Sequence, residues 1–163
     1  MVPLVLAGCT TPFTGQGESK ITDHPNALVT ANTQFALDLY RQLKPAADGN
    51  FFFSPYSVST ALAMTLAGAR GETAAQMAGV LHLSNIAASE IAPAFGELQK
   101  LLNDLQAGGQ MQLAVANALW FEQNPEHPLL PSYLDLVRND FAAEVFPQDF
   151  RSNSAAGAAL INS

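Results

Sequence analysis

The chain contains a single cysteine, Cys9, so no disulfide can form within it. Charge is sparse: 13% of its 163 residues are charged, with 7 basic against 14 acidic for a net charge of −7. So few cations cannot assemble the basic stripe that a phosphate backbone requires, which excludes nucleic acid as a partner. The acidic surplus serves solubility. Histidine is scarce too. His24, His82 and His127 lie far apart, with no cysteine or carboxylate at ligand spacing, so neither a metal site nor a cofactor is expected. The chain also lacks a Gly-x-Ser-x-Gly elbow, a Ser-x-x-Lys pair and a His-Glu-x-x-His helix. Those absences remove the sequence support for a secreted hydrolase, and no catalytic residue is expected.

What is present favours a folded body. Apolar residues make up 48% of the chain, and its length suffices for one core. The lone cysteine has informative neighbours. Leu6-Ala7-Gly8-Cys9 reads as a lipobox, in which small residues admit a signal peptidase and the cysteine thiol is acylated. Residues 1–9 are then the remnant of an export signal, since Val2 to Ala7 is far short of the roughly 20 apolar residues of a membrane span. A charged start and a full apolar core are missing, so either translation begins upstream of Met1 or Cys9 is an ordinary cysteine in a frayed terminus. Residues 10–30, rich in Thr, Pro, Gly and Ser, read as a solvated tether between anchor and body.

The folded part is expected from Ala31. Phe35, Leu39 and Leu43 recur at helical spacing until Pro45, and residues 46–50 carry turn chemistry. Phe51 to Phe53 read as a short strand buried on both faces. Ser54-Pro55 then opens a helix to about Ala69 that is apolar nearly all round and should be central. Gly68 to Gly71 break it, and Thr73 with Gln76 form a capping box for the next helix, which carries Met77, Val80 and Leu81. A further helix starts near Ser89, carries Ile91, Phe95, Leu98, Leu102 and Leu105, and ends at Gly108-Gly109.

Met111 to Phe121 switches to a period of two with apolar residues on both sides, the pattern of an interior strand. Trp120, like the Phe51–Phe53 run, reads as core rather than as a ligand site. A helix over Pro131–Phe141, a short strand over Ala143–Phe146 and a helix over Ser152–Ile161 complete an α+β order, with helices packed on a central sheet.

Asn50 to Met77 as a unit closely resembles the serpin family, protease inhibitors that insert their own reactive loop into a β-sheet. Asn32–Tyr40 is similar to that family's first helix, and Ala116–Trp120 to the second strand of its large sheet. Tyr133–Phe150 resembles the next helix and strand, and Ala155–Asn162 the start of the helix lying across that sheet. The resemblance implies that residues 31–163 are the N-terminal portion of the serpin fold, before most sheet strands and the reactive loop. It further implies suicide inhibition of a serine or cysteine protease through a loop absent from this chain. Ser54 and Ser57 match the two serines of the shutter region beneath the opening sheet. Read on their own, Ser54 is an N-cap and Ser57 a hydroxyl that can bond back to the helix. With the lipobox, the likeness implies a bacterial lipoprotein of the cell surface, whose only membrane contact is an anchor at Cys9. The competing readings are a non-inhibitory binding protein on the same fold and, with less support, a secreted cell-wall hydrolase.

Overall fold

A computed structural model describes residues 24–44, 49–107 and 115–162. In order they form α1 (His24–Leu43), α2 (Pro55–Gly68), α3 (Gly71–Val80), α4 (Ala88–Ala107), β1 (Asn117–Glu122), α5 (Pro131–Asp140), β2 (Ala143–Gln148) and α6 (Phe150–Ile161). Cys9, the expected tether up to residue 23, Pro45 to Asp48, Gly108-Gly109 and Met111 to Ala114 lie outside the described residues.

The first helix starts at His24 rather than Ala31, so the folded body takes in the end of the segment expected to be a tether. The cause is Leu28, which is fully buried and shares one face with Ala31 and Phe35 at i, i+3 and i, i+7 spacing. Its apolar neighbours Ala27 and Val29 are exposed, so Leu28 is the side chain that anchors this first stretch of the helix in the core. The face fades toward the C-terminus: Leu39 is half-buried and Leu43 is exposed.

No strand forms at Phe51–Phe53, contrary to the expectation. Its backbone is irregular, Phe52 is 95% exposed, and the Phe51 ring packs tilted against Phe53 with centroids 5.0 Å apart. A strand needs a neighbour to take its backbone groups, and none stands beside this one among the described residues. For the same reason α2 is less central than its composition suggests. Ser59, Thr60, Ala63, Met64 and Leu66 are buried, whereas Val58 and Leu62 are exposed.

The third helix has no capping box. It is already under way at Gly71, which holds a left-handed φ of 60° at the break. Thr73 therefore sits inside the helix, and Gln76 donates to Glu72 instead. The fourth helix runs as expected, with Ile91, Phe95 and Leu98 buried.

The two strands pair in parallel, from Asn117 beside Ala143 to Glu122 beside Gln148, with α5 as the crossover. Along that register Trp120 stacks on Phe146, centroids 4.3 Å apart, while Leu119 and Val145 pack on the core. The core centres on Phe95, which touches Tyr56 and Phe141 at centroid distances of 6.5 and 5.5 Å. Asn117 ties the strand to the helix end by donating its side-chain amide to the Phe141 carbonyl at 2.9 Å.

Beyond the strands, α6 opens on two acids. Asp149 accepts from the Ser152 amide at 2.8 Å, and Glu122 of β1 accepts from the Phe150 amide at 2.8 Å. The first-turn amides of a helix lack partners of their own, so these carboxylates satisfy them and complement the helix dipole.

Candidate functional site

The N-terminus of α2 gathers the hydroxyls singled out in the sequence. Ser54 takes an extended conformation (φ −105°, ψ 101°) because Pro55 follows it, and this makes it the N-cap. Its Oγ accepts from the Ser57 amide at 3.3 Å and lies 2.9 Å from the Ser57 Oγ. The two serines thus face each other across the first turn, and both are exposed. Among the described residues neither has a hydrogen-bonded base or carboxylate that could activate it as a nucleophile.

One turn further along, the polar groups turn inward. Ser59 and Thr60 are each 1% exposed. Thr60 donates to the Tyr56 carbonyl at 2.8 Å, the back-bond that lets a helical hydroxyl be buried. Ser59 donates to Oδ1 of Asn32 on α1 at 2.5 Å, with the Tyr56 carbonyl as a second acceptor at 3.2 Å. The Asn32 Nδ2 is buried and has no partner among the described residues. On the opposite side Tyr56 donates its hydroxyl to Gln99 of α4 at 3.2 Å, and buried Gln99 donates to Asn103 at 3.1 Å. Burial holds the Tyr56 hydroxyl above its usual pKa, so it remains a donor. A polar seam therefore runs from α1 through α2 to α4.

The family resemblance pointed to Ser54 and Ser57 but not to Asn32, Ser59 or Gln99. A signal was present for Ser59. Counting back four residues from the buried Ala63 and Met64 lands on Ser59 and Thr60, which occupy the core stripe of α2.

Among the described residues no group of three His, Cys, Asp or Glu side chains could hold a metal ion, and no helix is long and apolar enough to cross a membrane.

A phenylalanine-rich segment leading into a serine-capped helix, a polar seam behind it and a parallel pair joined by a helix define the chain's class. The family model "Serpin (serine protease inhibitor)" matches residues 30–163, and the chain belongs to the serpin family. The leukocyte elastase inhibitor of Sus scrofa is 38% identical over 136 residues, covering 83% of this chain and 34% of that protein. The Bos taurus protein of the same name is 40% identical over 126 residues, covering 76% and 31%. In solved structures, a tumour suppressing serpin superposes with a TM-score of 0.73 at 28% identity, over 84% of this chain and 36% of that one. The cleaved form of a protein called Serpin 42Da gives 0.69 at 26% identity, over 85% and 35%. The chain thus spans about a third of the length of these relatives. It is mostly helical with a small parallel sheet, matching the N-terminal portion of serpin structures, and the family consists of protease inhibitors rather than enzymes.

Proposed function

We propose that this chain is the N-terminal platform of an inhibitory serpin, which traps a serine protease by inserting its cleaved reactive loop into the sheet. Leukocyte elastase inhibitors at 38% and 40% identity support the inhibitory reading. The observation that carries it is the Ser54–Ser57 pair: two neutral hydroxyls 2.9 Å apart, exposed, each able to change partner without stranding a charge. In this reading they form the shutter, exchanging hydrogen bonds as sheet strands separate to admit the loop. The driving energy is the stability gained when the loop becomes a new strand. Leu6–Cys9 supports a further reading, that the protein is bacterial, acylated at Cys9 and held at the cell envelope.

Incubating the full-length protein with pancreatic elastase, trypsin and subtilisin tests the inhibitory reading. The expected result is a covalent complex stable in denaturant with at least one of them. Cleavage of the protein as a plain substrate by all three would instead favour a non-inhibitory binding protein on this fold. Metabolic labelling with an alkyne fatty acid, abolished by Cys9→Ser, tests the anchor.

A further inference from the structure

A cavity of about 730 Å³ opens between the C-terminal end of α2, the length of α3, the start of α4 and the side of α5. That volume falls within the roughly 300–1,000 Å³ of small-molecule sites. It is separate from Ser54 and Ser57, which lie at the other end of α2. Its walls are apolar: Leu66, Ala74, Ala78, Ile91 and Leu136 all line it. Ala74 and Ala78 stand one turn apart on α3 and present only methyl groups where longer side chains would fill the space.

The two rims differ in charge. Arg70 lines one of them, at the N-cap position of α3, and it makes no side-chain capping bond. One guanidinium nitrogen, Nη1, donates to the carbonyls of Ala67 and Ala69 at 3.0 and 2.6 Å. The rest of the fork has no carboxylate partner among the described residues. Glu72, the acid of that first turn, is bonded by Gln76 at 3.0 Å and does not line the cavity. The guanidinium, held by two carbonyls but neutralised by no carboxylate among the described residues, and the uncapped first amides of α3 therefore make this rim positive.

Asp140 lines the other rim. The side of α5 runs from one to the other: Tyr133 packs on Gly68 beside the Arg70 end, and the Asp140 backbone packs on Gly96 of α4. The seven-residue step from Tyr133 to Asp140 spans about 10 Å of helix.

We propose that this cavity binds a linear aliphatic monocarboxylate. Its chain lies among the alanines of α3 and the aliphatic side chains of α2, α4 and α5, and its carboxylate sits on Arg70 and the first turn of α3. Charge complementarity selects the head group, since a carboxylate supplies the anion that Arg70 lacks. Asp140 sets a second preference, because a carboxylate at the far end of the chain would meet a like charge.

Titration calorimetry on the full-length protein tests this, with dodecanoate below its micellar concentration as probe. Saturable one-to-one binding at micromolar Kd is expected, with 1,12-dodecanedioate bound about tenfold more weakly. Arg70→Gln changes a surface side chain and is expected to weaken dodecanoate binding about tenfold. Ala74→Phe projects a ring into the cavity across the path of the aliphatic chain and is expected to abolish binding while leaving the circular dichroism spectrum unchanged. No saturable binding, equal affinity for the mono- and dicarboxylate, or full binding by Arg70→Gln would each overturn the proposal. Failure here leaves protease trapping unaffected, since the two are read from different assays.

Discussion

Gly96 on α4 meets the carbonyl oxygen of Asp140 at the end of α5 so closely that a β-carbon on residue 96 would stand 2.7 Å from it. The obstacle is backbone, which cannot swing aside as a flexible side chain can. Gly96→Ala must therefore push the two helices apart, and it does so beside the Phe95–Phe141 ring contact. The expected cost is about 1–3 kcal/mol, the usual range for overpacking. Gly79 on α3 is the control, since a β-carbon there would meet nothing within 4 Å. There Gly79→Ala should gain roughly 0.5–1 kcal/mol through helix propensity alone. Urea denaturation of both variants in the full-length protein checks the pair, and a Gly96→Ala protein as stable as the parent would show slack in this crossing.

The Asn32–Ser59 bond is expected to show strong coupling. Ser59→Ala leaves the Asn32 carboxamide buried with its oxygen unpaired, next to an Nδ2 that already lacks a partner among the described residues. That should cost about 1–3 kcal/mol. Asn32→Ala should cost less at the serine, because Ser59 keeps the Tyr56 carbonyl at 3.2 Å as an alternative acceptor. The double variant should then be less destabilised than the sum of the singles by roughly 0.5–3 kcal/mol. Additive singles would mean that the two helices are held by packing alone.

Helix existence was legible in the sequence wherever an apolar face ran at a 3.6-residue period, as in α4 and α5. Boundaries were less so. The start of α1 depends on Leu28, and no local pattern tells that it is buried while its neighbour Val29 is exposed, or distinguishes a helix with that one anchor from a tether. Phe51–Phe53 shows the opposite failure. Its composition reads as a buried strand, yet a strand is a property of its neighbours, and none pairs with it among the described residues. Of the polar groups on α2, Ser54 is legible through capping chemistry, and its pairing with Ser57 only through the resemblance to the serpin family. Asn32 and Gln99 are not legible, because a buried amide on a helix looks in sequence like any exposed one until its partner on another helix is placed.

Acid should weaken the contact between α1 and the turn after α3. Asp38 accepts from His82 Nε2 at 2.8 Å and from Arg41 at 2.6 Å. The His82 hydrogen bond, with Arg41 adding to it, holds its carboxyl below the ordinary value of 3.8. A depressed carboxylate contributes stability above its unfolded pKa and loses it as pH falls through the folded one, so the contribution is present above about pH 4 and disappears below it. Asp38→Asn should accordingly flatten the fall of Tm with pH on the acid side of pH 4 and leave the alkaline limb unchanged. Parallel Tm curves for parent and variant would remove Asp38 from the acid response.

The β1–β2 pair and the Phe52 ring leave this chain prone to self-association when produced alone. Two parallel strands are a marginal sheet, and an unpaired strand edge is a template for another chain. With Phe52 also 95% exposed, the isolated chain is expected to elute as oligomers in size-exclusion chromatography. A monodisperse monomer with cooperative unfolding would contradict this.

Ser54 serves as an N-cap whatever else it does, so a simple alanine variant cannot separate capping from shutter function. Ser54→Ala should cost roughly 0.5–2 kcal/mol through the lost cap alone. Ser54→Asp keeps an acceptor for the Ser57 amide and adds a favourable charge at the helix N-terminus, so it should recover most of that stability. It does not keep a neutral hydroxyl that can both donate and accept, which is what partner exchange with Ser57 requires. If the pair is the shutter, the Asp variant will be nearly as stable as the parent but will trap protease more slowly, with more of the protein cleaved as substrate. If Ser54 only caps, stability and trapping will recover together. Ser57→Ala is the complement, because it leaves the Ser54 acceptor and the backbone amide in place. It should therefore alter stability by less than Ser54→Ala while changing the ratio of trapped to cleaved protein, measured by gel densitometry at fixed protease concentration.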